Sequence, residues 1–112
     1  MTLNETGLQL GHFMSYLSRR QEAIASNIAN ADTPGYKTRD VGMPADFSSA
    51  IEEASGMVET SGLPARNDGN NVSIDREARL LSENSLKFSV ASQLLRGQLK
   101  SIRSAIEEGR SA

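Results

Sequence analysis

Hydrophobic residues recur every seven positions at both ends of this chain and lose that rhythm in between. Near the N-terminus the sevenfold row is Leu3, Leu10, Leu17, Ile24 and Ala31, with Gly7, Met14, Gln21 and Ile28 four residues after its first members. Phe13 and Leu8 widen the stripe, while Arg19, Arg20 and Glu22 take the other face. This spacing predicts an amphipathic helix over 3–31, close to the 3.5-residue repeat of a coiled coil. Gly7 and Gly11 weaken its first turns by about 1 kcal/mol each relative to alanine, so the start is expected to fray in the free chain.

The sevenfold rhythm returns with Ile74, Leu81, Phe88, Leu95 and Ile102. Ala78, Ala91, Leu99, Ala105 and Ile106 fill a companion row that Asn84, Ser85 and Ser92 interrupt. Ser73 is placed to cap the N-terminus, and Asp75 and Glu77 in the first turn suit the helix dipole. A helix over 73–108 follows. Leu80, Leu86, Val90 and Leu94 spill onto its flanks, so its apolar surface is wider than one partner helix needs. Glu83 and Lys87 form a well-oriented i,i+4 pair.

Between the helices, residues 32–71 read as a turn followed by an irregular region. Gly and Pro recur at Gly42, Pro44, Gly56, Gly62, Pro64 and Gly69. A short helix is expected over 46–54, capped by Asp46, with Phe47, Ala50, Ile51 and Ala54 as its apolar side. Residues 57–60 suit a brief strand or extended arm, and Arg66-Asn-Asp-Gly-Asn-Asn71 a turn. A linker of that length is uncommon unless it serves a function.

Charge sharpens this division. The chain has 112 residues and a net charge of −2, but residues 40–71 hold six acidic groups and one basic. The two ends are nearly balanced. A basic excess of the kind that binds nucleic acid is absent. With an aromatic fraction of 4% and no Trp, the chain can build a helical seam but not a thick core of its own. There is no cysteine, hence neither a disulfide framework nor a thiolate metal site. No apolar run reaches the roughly 18 residues of a membrane span, and no cleavable secretory signal is visible.

The stretch joining the first helix to the middle is Ala25-Ser-Asn-Ile-Ala-Asn-Ala-Asp-Thr-Pro-Gly-Tyr-Lys-Thr-Arg-Asp40. Pro34 disfavours helix at Thr33, and Pro34-Gly35 suits the centre of a type II turn, with Gly35 at positive φ. Asn27 and Asn30 are poor helix formers and are expected to hydrogen-bond the turn or a neighbour. A polar joint results, built from Asn27, Asn30, Asp32, Thr33, Pro34, Gly35 and Tyr36.

This stretch resembles the signature of the bacterial flagellar axial proteins. It is most similar to the basal-body rod family and, within it, to the proximal rod proteins of B type. The segment starting Val72-Ser-Ile-Asp-Arg-Glu77 carries the likeness to the C-terminal helix. The resemblance implies a structural subunit of the proximal rod, whose terminal helices assemble helically into an export-channel wall and transmit torque. It also implies other rod proteins and copies of itself as partners, together with the inner-membrane ring and the flagellar export gate. Its expected location is the periplasmic rod, after export without a cleaved signal peptide.

Candidate chemistry is sparse. His12 is the only histidine, which removes paired-histidine metal sites. The side chains of Glu52-Glu53 and Glu107-Glu108 diverge on a helix, and Asp68-Gly-Asn-Asn71 lacks the downstream acidic ligands of a calcium loop. Tyr36 and Lys37 read as a buried contact or a recognition pair. No catalytic, cofactor-binding or metal-binding residue is assigned, and an enzyme is not expected.

The expected architecture is all-α and a single unit. Two long terminal helices pair as an antiparallel coiled-coil-like hairpin, with an irregular acidic middle. The packing and assembly seam is assigned to Leu10, Leu17, Ile24 and Ile28 with Leu81, Phe88, Leu95 and Ile102. A cytoplasmic helical-hairpin adaptor or export chaperone, using the same stripes to cover a client helix, is the alternative.

Overall fold

The computed structural model describes residues 3–42 and 57–111, so the short helix expected over 46–54 lies outside the described residues. Helix α1 spans Leu3–Ala29. It stops two residues before the periodicity does, because the backbone tightens. Asn30 N still bonds Ser26 O, but Ala31 N reaches back only to Ile28 O. A turn follows in which Tyr36 N donates to Thr33 O at 3.2 Å, with Pro34 and Gly35 at its centre. Gly35 has φ 76, as the second central position of a type II turn requires.

The middle is more regular than its composition suggests. Strand β1 (Arg39–Val41) pairs antiparallel with β2 (Met57–Glu59), Asp40 opposite Val58. Thr60 N extends the ladder to Thr38 O at 2.8 Å. An all-α description therefore holds for the ends only. Arg39-Asp-Val41 is too short to show alternation and gave no strand signal. Its order comes from partners on both sides.

Helix α2 spans Ile74–Ser111, and Ser73 caps it, its Oγ accepting from Arg76 N at 3.3 Å. The helix runs three residues beyond the expected end at 108. Gly109 keeps a negative φ instead of turning the chain.

Between α1 and α2, Asn27 meets Glu77, and Leu17 and Gln21 meet Asn84. The buried hydrophobic residues are Tyr16, Leu17, Ala23, Ile24, Val41, Val72, Leu80 and Ala91, of which Tyr16, Leu17, Ala23 and Val41 cluster between α1 and the ribbon. Fully buried side chains such as Leu17 and Ile24 each contribute about 1.5–3 kcal/mol of transfer free energy. Phe13 stacks on Tyr16 with ring centroids 6.3 Å apart. The molecule is elongated, 71 × 24 × 16 Å, so little of its apolar surface can be hidden within one chain.

Candidate functional site

Asn27 sits in the last full turns of α1 and is 1% exposed. Its carboxamide does the work of a short β-strand. Nδ2 donates to Arg39 O at 2.8 Å, and Oδ1 accepts from Arg39 N at 3.0 Å. The outer edge of β1 is thereby paired by a side chain. The second Nδ2 hydrogen goes to Glu77 Oε2 at 3.2 Å, and Tyr36 Oη donates to Oδ1 at 3.0 Å. All four hydrogen-bonding capacities of the amide are used. Because Tyr36 spends its one hydrogen on Asn27, its contact with Ser26 Oγ at 3.1 Å is donated by the serine. Nearby, Arg20 pairs with Asp40 at 3.4 Å and ties α1 to the ribbon a second time. Burial pushes the Tyr16 hydroxyl above its ordinary pKa; Arg20 opposes the shift and Asp40 adds to it.

The exit of α1 is completed from the far side of the middle region. Asn70 is fully buried and donates to Asn30 O at 2.9 Å and Thr33 O at 2.8 Å, while its Oδ1 accepts from Val72 N. One side chain thus ties together two turn carbonyls that each also accept a backbone N–H, from Thr33 and Tyr36. Asn71 Oδ1 receives both Thr38 N and Thr38 Oγ1, at 2.6 and 2.8 Å. The last turn of α1 contains no basic residue, and Arg66 supplies the cation by donating to Ala31 O and, at 3.0 Å, to Val72 O. Lys37 donates to Gly69 O, and Gly35 N to Asp68 O at 2.9 Å. Gly69 has φ 85, and a Cβ there would lie 3.4 Å from Gly35 Cα, so the two turns touch backbone to backbone.

Further along the helices, Asn84 is 2% exposed and donates to Leu17 O and Gln21 Oε1, both at 2.9 Å. It borders an open groove of about 290 Å³ with Leu17, Ser18, Gln21, Ser85 and Phe88. Among the described residues, no helix is long and apolar enough to cross a membrane, and no acidic or histidine cluster could hold a metal ion.

The structure brings Asn27, Asn30, Thr33, Gly35 and Tyr36 of the sequence-derived joint together, while Asp32 and Pro34 face solvent. Thr33 donates to Asn30 Oδ1 at 3.1 Å, and Asn30 returns to Ser26 O at 2.8 Å. Of the assigned seam, Leu17 and Ile24 are buried, and Leu10, Leu81, Leu95 and Ile102 are half-buried. Ile28 and Phe88 are exposed. The buried positions of α2 are Glu77, Leu80, Asn84 and Ala91, a row displaced from the one that periodicity favoured. Polar Glu77 and Asn84 occupy it because each has a partner waiting on α1. Sequence reasoning missed Thr38, Arg66, Asn70, Asn71, Glu77 and Asn84 as members of the site. The run of Asn around Gly69 was the available signal, since such residues bond backbone groups.

A family model described as flagella basal body rod protein matches residues 14–37, which cover the second half of α1 and the turn. Similar proteins extend the likeness along the chain. The flagellar basal body rod protein FlgB of Yersinia ruckeri is 34% identical, over 82% of this chain and 86% of that protein. FlgB of Escherichia coli K12 is 30% identical over the same shares. FlgB of Borrelia hermsii is 32% identical over 96% of this chain and its whole length. With the buried joint and these relatives in hand, the chain belongs to the FlgB family of flagellar basal body rod proteins.

Proposed function

We propose that this chain is a structural subunit of the proximal rod, with no chemical step. In this reading α1 and α2 pair as an antiparallel coiled-coil-like hairpin. Copies of the hairpin pack helically with other rod proteins into a tube that walls the export channel and carries torque. The contacts of Asn27 with Glu77 and of Asn84 with Leu17 support the pairing, because sequence number rises along one helix as it falls along the other. The joint holds the ribbon at a fixed angle to the pair. Neighbouring rod subunits, the inner-membrane ring and the export gate are the partners. The location is the periplasmic rod, reached without a cleaved signal peptide.

The observation that carries this reading, beside family membership, is the apolar surface of α2 that α1 leaves uncovered. Leu86, Phe88, Val90, Leu94, Leu99 and Ile106 are all at least 40% exposed. A helix so furnished on more than one side buries those residues against further chains. Non-closing contacts between unlike patches generate a helical tube.

The Phe88→Asp variant tests it. Phe88 is exposed in the free chain, so the substitution leaves the fold standing. In an assembled seam it places a desolvated charge, costing several kcal/mol. Expected is a monomer with wild-type circular dichroism that is missing from basal bodies purified from cells expressing it. Normal incorporation refutes the assignment of this surface. A tagged wild-type chain recovered wholly from the cytosol refutes the rod reading itself.

A further inference from the structure

Glu77 is a carboxylate with no solvent exposure in a chain rich in solvated ones. Arg76 reaches its Oε1 at 2.7 Å, and Asn27 Nδ2 reaches its Oε2 at 3.2 Å. The first contact is local, between adjacent residues on the rim of α2. The second spans fifty positions in sequence and ends on the one side chain that pairs the edge of β1. Glu77 lies outside residues 14–37, the segment by which the family model recognises the chain.

Asn27 can serve Arg39 in only one orientation. Arg39 N–H needs Oδ1, and Arg39 C=O needs Nδ2. A carboxamide turned over sets two donors and two acceptors against each other. Glu77 takes only a donor, so it accepts the correct face and rejects the inverted one. A carboxylate is also a stronger acceptor than a neutral carbonyl oxygen. We propose that Glu77 is a positioning residue: it fixes the Asn27 carboxamide and, through it, the backbone at which the ribbon leaves α1. The recognisable signature is half of a two-segment device, and the start of α2 supplies the other half. The pairing of Asn27 with Arg39 is locked only when α2 has docked. This inference is independent of rod assembly, because it concerns the free chain.

The test is amide hydrogen exchange by NMR on the full-length protein, read at Arg39 N–H and at interior amides of both helices, Ala23 and Leu80. Glu77→Met keeps the volume and removes the acceptor. It is expected to speed exchange at Arg39 about tenfold while Ala23 and Leu80 change less than twofold. Glu77→Gln offers Asn27 a neutral oxygen and is expected to keep most of the protection. Should the methionine variant fail to fold, Glu77→Asp, which withdraws the carboxylate by one methylene, is expected to give the same selective loss at Arg39. Three results overturn the proposal. One is unchanged protection at Arg39 in the variants that lose or withdraw the acceptor. Another is a rise shared equally by all helix amides, the mark of general destabilisation. The third is a glutamine variant that behaves like methionine, which would assign the role of Glu77 to its pairing with Arg76.

Discussion

Replacing Asn27 with leucine is the sharpest perturbation of the joint. Leucine has nearly the same volume and branching, so packing against the ribbon survives while all four hydrogen bonds vanish. At about 1 kcal/mol net per bond the loss is about 4 kcal/mol. The groups left behind add to it. Arg39 N–H and C=O lose their partner at the ribbon edge, and Glu77 keeps only Arg76. Against a total stability of about 5–15 kcal/mol for a native domain, this change is enough to unfold a large share of the molecules. Urea unfolding followed by circular dichroism measures it directly. Asn30→Leu is the control. Asn30 is only half-buried, and its bonds go to Ser26 O one turn back and to the exposed Thr33 hydroxyl. Its loss is expected to cost about 1 kcal/mol or less. Both residues are asparagines of one signature, so sequence alone ranks them equally. A loss below 1 kcal/mol for Asn27→Leu, or equal losses for the two variants, would refute the claim that Asn27 pairs the strand edge.

Two further outcomes follow from the geometry. Gly69→Ala is expected to destabilise more than Gly35→Ala. Both pay the left-handed cost of roughly 1–2 kcal/mol, but only Gly69 also crowds a neighbouring backbone; the reverse order in urea unfolding refutes the close approach. The Tyr16 hydroxyl is raised above its ordinary value, so the unfolded chain releases this proton first. Its stabilising contribution is full below that ordinary value and is lost as pH rises through the folded one. Tyr16→Phe is therefore expected to flatten the fall in melting temperature between pH 9 and 11, and an unchanged fall refutes the assignment.

The parts of this fold that could be read from the sequence are those whose cause is periodic. Leu17 and Ile24 announce a helix face because a half-buried helix repeats its burial every three to four residues. The turn at Pro34-Gly35 was equally legible, since its φ demands belong to the residues themselves. The same logic misplaced the buried row of α2. Asn84 and Glu77 looked like interruptions or dipole partners, because hydropathy assigns polar residues to water. They are buried since Leu17 O, Gln21 and Asn27 lie opposite, and opposition across 50 or more positions leaves no mark in local spacing.

The ribbon shows the same limit from the other side. A three-residue strand with one buried side chain cannot hold its shape by propensity or alternation. It is held because Asn27 pairs one edge, β2 pairs the other, and Asn71 fixes Thr38 just before it. Each of those partners was visible in the sequence as a residue type, and none as a partner. The apolar pattern determines that two helices form and which broad faces they bury. Asn27, Asn70 and Asn71, bonded to distant backbone groups, and Glu77, bonded to the Asn27 side chain, determine how the chain leaves the first helix and re-enters the second. A rod subunit needs both. The apolar faces tolerate exchange of one hydrophobe for another of like size. The joint tolerates little, because an amide inverted or an acceptor removed leaves buried groups without partners.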